Sequence, residues 1–220
     1  PPVSNLDKLV VVFAAASPNP NRIIIDKFTA ATLYNNIDVI ICITKPDLVS
    51  ESDLQELVST YKKPFPVVTV NGKNSDGIDE LYNLIKGYNV ALAGPSGVGK
   101  STIMNHLTGR SDIETGDISS KTSRGRHTTR HVEIFSIDKD THFYDTPGFT
   151  SLDFPKLDKY NVKHYFPEVS GYKGYCKYLD CIHVDEPGCA VKKALAEGQI
   201  SKSRYESYLA ILEEVKKWQR

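Results

Sequence analysis

Long apolar runs are missing from this 220-residue sequence. None approaches the ~20 residues that span a bilayer, and no signal-peptide pattern opens the chain. We therefore expect a cytoplasmic protein with no membrane partner. Net charge is missing too: 27 Lys and Arg balance 27 Asp and Glu. A bulk electrostatic field is excluded, so any nucleic-acid partner must meet a local basic patch. Cysteine is scarce. Of the four, Cys42 lies in an apolar run, while Cys176, Cys181 and Cys189 are clustered. That pattern argues against a disulfide scaffold and fits a reducing compartment. There is no internal repeat and no low-complexity segment. An initiator methionine is absent as well: the chain starts Pro1-Pro2, and we expect it to belong to something longer.

What is present organises around Gly94-Pro95-Ser96-Gly97-Val98-Gly99-Lys100-Ser101-Thr102. This is G-x-x-x-x-G-K-S, the phosphate-binding loop of nucleotide triphosphatases. An apolar stretch, residues 89–93, enters it, and residues 103–107 read as the helix that leaves it. Glycines let backbone N–H groups turn toward a polyphosphate, and the helix N-terminus adds its positive dipole end. Lys100 is expected on the β- and γ-phosphates and Ser101 on Mg²⁺.

Continuous apolar runs at 9–13, 38–43, 67–70 and 89–93 read as buried parallel strands. Helices are expected after Ser17-Pro18-Asn19-Pro20, turning Ile23, Ile24, Phe28 and Leu33 inward, and over 52–61 and 77–86. The alternation argues for an α/β fold, a parallel sheet with helices on both faces. Two further strands are expected at 131–137 and 141–144. In the tail a helix over 190–197 should close at Gly198. Ser203-x-x-Glu206 reads as a capping box opening a helix through Lys217, with Tyr205, Tyr208, Leu209, Leu212 and Val215 apolar.

Several strand ends carry polar groups where such sheets bind ligands. Thr44-Lys45-Pro46-Asp47 places an aspartate that could accept from guanine N1–H and its exocyclic amine, a donor pair that adenine lacks. Lys45 could lie along the purine face. Alone, this tetrapeptide is more often a turn. Asn71-Gly72-Lys73 could point a backbone N–H at guanine O6, or be a plain loop before Asp76-Gly77. The polar stretch 109–129 ends in Arg124-Gly125-Arg126-His127-Thr128-Thr129-Arg130, either a solvated basic loop or a source of a Mg²⁺-ligating threonine, Thr128 or Thr129. Asp145-Thr146-Pro147-Gly148 is a D-x-x-G, whose aspartate would hold Mg²⁺ through water and whose Gly148 N–H would meet the γ-phosphate. Finally, Cys176-x4-Cys181-x-His183-x5-Cys189 puts three thiols and an imidazole within 14 residues, which suits a tetrahedral structural Zn²⁺. A disulfide with two spare side chains is the alternative.

The order of these motifs is rotated relative to ordinary GTPases, with base recognition before the phosphate loop and switches. Together with the cysteine–histidine cluster, this resembles the circularly permuted, ribosome small-subunit-dependent GTPases of the RsgA family, over nearly the whole chain. The resemblance implies a P-loop GTPase domain over 9–152 after a linker at 1–8, then a helical zinc-binding domain over 153–220. It implies GTP hydrolysis in maturation of the small ribosomal subunit, with that subunit and its rRNA as partner and activator. GTP or GDP with Mg²⁺, one structural zinc and a monomer are expected. Family members carry an N-terminal OB-fold domain, which this sequence lacks. They also carry a histidine matching His127 that is implicated in hydrolysis.

Three departures from GTPases at large stand out. Thr44 replaces a usual asparagine; its hydroxyl can bond the purine edge or the phosphate loop. Gly72 replaces an alanine, harmlessly if only the backbone acts. Phe149 replaces the water-positioning glutamine. Two other classes remain to be weighed. One is a nucleoside or small-molecule kinase. The other is a zinc-dependent RNA-binding module with a vestigial nucleotide site, for which 12 Lys and Arg against 9 Asp and Glu in residues 156–220 are too mild an excess.

Overall fold

The computed structural model describes residues 5–111, 133–145 and 155–218. In chain order the elements are β1 (Lys8–Ala14), α1 (Arg22–Tyr34), β2 (Asp38–Thr44), α2 (Glu51–Lys62), β3 (Val67–Val70), α3 (Ile78–Ile85), β4 (Asn89–Ala93), α4 (Lys100–Thr108), β5 (Glu133–Ser136) and β6 (His142–Asp145). The tail adds α5 (Pro167–Ser170), α6 (Ala190–Ala196) and α7 (Lys202–Trp218).

The sheet order is β3-β2-β1-β4-β6-β5. β1, β2, β3, β4 and β6 run parallel, and β5 is antiparallel to β6. The short 137–141 connection forces that reversal, because only antiparallel strands can be joined by a tight turn. Asp138 builds the turn: its carboxylate accepts from the Asp140 and Thr141 amides and from the Tyr82 hydroxyl. These bonds, Tyr82's first, hold the Asp138 carboxyl down at about 2.

β1, β2 and β4 are largely apolar because both of their faces are covered. Val10, Val12, Ile40 and Val68 pack with Leu81 and Ile85 of α3 and Ile103 and Met104 of α4. The alternate residues Leu9, Val11, Phe13 and Ile41 pack with Ile25 and Phe28 of α1 and Leu57 and Tyr61 of α2. Each such buried aliphatic side chain is worth about 1.5–3 kcal/mol. The chain steps outward from β1 to β3 and then returns to place β4 beside β1. The crevice at that reversal, at the carboxyl ends of the strands, is where the phosphate loop leaves β4.

A third core joins Val162, Phe166, Val169, Val191, Tyr208, Ile211, Leu212 and Val215 to Ala30 of α1. The tail therefore packs on α1. This explains one correction. Ile23 and Ile24 do not point inward; they are 43% and 41% exposed. Asn21 caps α1 by accepting from the Ile24 amide, and the buried face begins at Ile25 and includes Asp26 and Thr29, because α7 covers a second side of the helix. A second correction concerns α7. Its first helical bond runs from the Tyr205 amide to the Ser201 carbonyl, so Ser201 holds the cap position. Ser203 sits inside the first turn, with its hydroxyl against that of Ser201 at 3.0 Å. α6 closes as expected: Gly198 takes a left-handed φ of 71° and bonds back to Leu195. Among the described residues no helix is long and apolar enough to cross a membrane.

Candidate nucleotide site and metal centre

Gly94 follows β4 with φ 151°, and a Cβ there would lie 2.0 Å from the Val12 carbonyl oxygen. Only glycine lets the chain pass so close to β1. The loop then turns through Gly97 and Gly99 into α4. Lys100 extends across the loop, its ammonium donating to the Gly94 and Pro95 carbonyls at 2.7 Å each. Ser101 and Thr102 occupy the first turn of α4. The Lys100 ammonium thus lies over the phosphate loop beside the positive N-terminal end of α4, the pairing that phosphate binding uses.

β2 delivers the second part. The Thr44 hydroxyl donates to the Val98 carbonyl at 2.6 Å. Its one hydrogen is spent on the phosphate loop, so it braces that loop rather than presenting a donor to a base. Lys45 is left-handed, with φ 55°, and turns the chain into the short 3₁₀ segment that carries Asp47. The Lys45 ammonium donates to the Gly97 carbonyl at 2.8 Å and to that of Ser17, a second tie to the phosphate loop.

β3 delivers the third part. The Asn71 side chain accepts from the Lys73 amide at 3.0 Å, and the Lys73 ammonium meets Asp47 at 2.6 Å. That hydrogen bond holds the Asp47 carboxyl below its usual range, which keeps it an acceptor. Thr44, Lys45, Asp47, Asn71, Gly72 and Lys73 line one cavity of about 250 Å³. Val98, Gly99 and Thr102 close its other side. Residues from three separate strand ends are thereby brought together. A larger cleft of about 580 Å³ lies between α2 and the start of α7. Its cations have partners: Arg22 meets Glu56, Lys63 the Gln199 carbonyl, Arg204 buried carboxylates, and the exposed Lys202 stands 3.9 Å from Glu206. It does not compete as a phosphate site.

His127, Thr128, Thr129, Gly148 and Phe149 lie outside the described residues. Of Asp145, the backbone position at the end of β6 is described, paired in register with Glu133.

In the tail, Cys176, Cys181, His183 and Cys189 place their ligand atoms within 4.8 Å of one another. The three sulfurs stand 3.6, 3.3 and 3.4 Å from His183 Nδ1. With Zn–S about 2.3 Å and Zn–N about 2.0 Å, a tetrahedron has S···N edges of about 3.5 Å. The donor set and spacing fit a metal ion. The electrostatics agree. Burial pulls the His183 imidazole down to about 4, so its lone pair is available at neutral pH. Burial and the neighbouring thiols push Cys181 up to about 12, so a thiolate there calls for a cation. The frame is set by hydrogen bonds. Tyr205 and Tyr208 donate to the His183 and Ile182 carbonyls at 2.6 Å each. Glu186 accepts from the Ile182 and Val184 amides. The Ala190 amide donates to Cys176 Sγ at 3.3 Å. All four cysteines are free thiols, so the disulfide alternative is not realised.

A family model described as RsgA GTPase matches residues 1–155. The chain belongs to the RsgA GTPase family. Among curated relatives, the small ribosomal subunit biogenesis GTPase RsgA of Alkaliphilus metalliredigens is 42% identical over 221 residues, all of this chain and 76% of that protein. The RsgA of Carboxydothermus hydrogenoformans is 42% identical over 216 residues, 98% of this chain and 74% of that protein. Among solved structures, YjeQ from Thermotoga maritima superposes with TM-score 0.79 at 35% identity, over 97% of this chain and 72% of that one. YloQ, described as a circularly permuted GTPase, gives TM-score 0.80 at 31% identity, over 99% of this chain and 70% of that one. The permuted GTPase fold with a helical, metal-binding tail is therefore the fold of this RsgA family member.

Two features escaped the sequence reading. Arg204 is 1% exposed and joins Asp26 of α1 to Glu168 of α5. Its signal was a cation in register with Tyr208, Ile211 and Val215 on the buried face of α7. His106 of α4 reaches the Gly72–Ser75 loop. Nothing local marks it, because its partners lie about 30 residues away in sequence.

Proposed function

We propose that this protein hydrolyses GTP as a maturation factor of the small ribosomal subunit, which binds and stimulates it. The observation that carries the reading is the shared cavity. Asp47, an ionised acceptor suited to guanine's paired donors, opens onto the same space as the phosphate loop. The relatives, small ribosomal subunit biogenesis GTPases, support it and disfavour a kinase or a vestigial site. Lys100 would hold the β- and γ-phosphates, and the amides of Gly94–Thr102 would cradle them. Ser101, Asp145 and Thr128 or Thr129 would hold Mg²⁺, which neutralises developing charge on the phosphates. Gly148 would sense the γ-phosphate. His127 would orient the attacking water or donate to the γ-phosphate, since Phe149 has no group to do so. Thr44 and Lys45 act on the base mainly by fixing the loop. The tail would hold one structural Zn²⁺ per chain. A boundary near residue 152 is supported by the tail core, whose buried members apart from Ala30 of α1 run from Leu157 to Val215. The partner surface would include rRNA, and a cytoplasmic monomer is the working state.

The test is phosphate release from GTP and from ATP, with and without purified small subunits. GTP hydrolysis that rises on adding subunits, with ATP inert, supports the reading. Equal use of ATP, or no response to subunits, overturns it.

A further inference from the structure

The guanine-recognition loop rests on the phosphate-loop helix. Thr102 and His106 are four residues apart on α4, hence on one face. A Cβ on Gly72 would come within 2.8 Å of Thr102 Cγ2. The loop lies directly on the first turn of α4, and an alanine at position 72 would require the Thr102 side chain to shift.

One turn on, His106 fastens the same loop. Its Nε2 stands 3.1 Å from the Gly72 carbonyl oxygen and its Nδ1 3.2 Å from Ser75 Oγ. A carbonyl can only accept, so Nε2 carries a proton, and Nδ1 pairs with the serine hydroxyl, which can either donate or accept. The loop itself is stiff. The Asn71 amide bonds to the Asp76 carbonyl, the Lys73 amide to Asn71 Oδ1 and the Asp76 amide to Asn74 Oδ1. A stiff loop moves as one piece, so a tether at Gly72 and Ser75 sets where all of it sits. The Gly72 carbonyl and the Lys73 amide share a peptide plane, and Lys73 reaches Asp47. The tether therefore runs from α4 through Gly72 and Lys73 to the base-selecting carboxylate.

We propose that His106 is a positioning residue for base selection: it clamps the 71–75 loop to α4, so that base recognition and phosphate binding are held in one register. This rests on the guanine-nucleotide reading above. Loss of the clamp should loosen the contact of the loop with the 6-oxo group of guanine. Phosphate contacts, made on the other side of the cavity, should be spared.

The experiment measures GDP and ADP binding to the whole chain and to His106→Ala, with GTP turnover alongside. Alanine is the best helix former, so α4 should persist, and a thermal melt checks this. Losing one or two hydrogen bonds predicts that GDP binding weakens roughly 3- to 30-fold. ADP binding should change less than about twofold, because its 6-amino group offers the loop no acceptor. KM should rise with kcat nearly unchanged. His106→Gln, which restores a donor near the Nε2 position, should recover most of the loss. Ser75→Ala should give a smaller loss of the same kind, and it carries the test if His106→Ala does not fold. An unchanged GDP-to-ADP ratio in both variants, or an equal loss for both nucleotides, overturns the proposal. A parent protein with no preference for GDP would instead sink the GTPase reading itself, a distinct result.

Discussion

Arg204→Met is the most informative single change for the architecture. The guanidinium donates through Nε to Glu168 at 2.6 Å, through one terminal nitrogen to Asp26 at 2.5 Å and through the other to Glu168 at 3.2 Å. It also lies 4.9 Å from the Phe166 ring and 5.6 Å from that of Tyr61. Burial alone would lower its pKa, but Asp26 and Glu168 outweigh burial and raise it; the arginine is charged. Asp26 is fully buried and the Glu168 side chain is 4% exposed. Methionine fills much of the volume but strands both carboxylates. Adding three charge-assisted bonds at about 1.5–3 kcal/mol each overshoots, because such terms are not additive. Breaking a buried pair typically costs about 3–5 kcal/mol. For a chain of this size that is a fall of roughly 6–20 °C in Tm.

The control is the triple variant Arg204→Met, Asp26→Asn, Glu168→Gln. It removes the stranded charges as well, so most of the loss should return, leaving about 1–2 kcal/mol from unpaired amides. Urea unfolding followed by far-UV circular dichroism reads both. A single variant within about 1 kcal/mol of the parent, or a triple variant no better than the single, refutes the account of Arg204 as the buried joint between α1 and the tail.

Asp47→Asn should weaken GTP and favour xanthosine triphosphate, with a change in selectivity on the order of 10⁴ at most; competition binding decides, and undiminished GTP binding removes Asp47 from base recognition. Elemental analysis should find about one zinc per chain, and Cys181→Ser should lose it together with tail structure; a metal-free protein with the same folded tail would sink the zinc assignment. His127→Ala should keep GTP binding and lower subunit-stimulated turnover by roughly 10- to 1000-fold; an unchanged stimulated rate would leave the catalytic help to the subunit.

What the sequence showed and hid follows from the range of the physics. The buried strands were legible because a parallel sheet covered on both faces leaves continuous apolar runs, such as Leu9–Phe13. The metal cluster was legible because its four ligands are local, and the phosphate loop because its backbone geometry demands glycine at fixed spacing. The inward face of α1 was not. Ile23 and Ile24 look like core by hydropathy, yet Asp26 and Thr29 are buried in their place, with the partner of Asp26 lying 178 residues away in α7. The role of Thr44 was legible only as a choice between base and loop. The 2.6 Å bond to Val98 shows it bracing the loop. His106 had no signal, since an imidazole on a helix near its C-terminus reads equally well as a solvated end.

The placement of the tail constrains how nucleotide state could reach the metal centre. Chain connectivity suggests a direct route, from the D-x-x-G at residues 145–148 into the tail. Packing supplies another. The tail core includes Ala30, Lys27 pairs with Glu214 at 2.5 Å, and Tyr34 packs edge-on against Tyr165 at 5.6 Å. Each contact is with α1, on the sheet face opposite α4. α4 carries the phosphate loop and the base-loop clamp, so the two attachments lie on opposite sides of the sheet. A change confined to α4 and its loops would not by itself disturb the α1 joint. The reverse linkage differs: a metal held by Cys176, Cys181, His183 and Cys189 would fix the 176–189 loop, whose His183 and Ile182 carbonyls accept from Tyr205 and Tyr208, and these stand on the same helix as Arg204. Any metal that binds only the folded tail therefore stabilises the α1 joint by mass action. On this geometry the cysteine–histidine cluster and the Arg204 joint to α1 are braced by one helix, α7, on the sheet face away from α4.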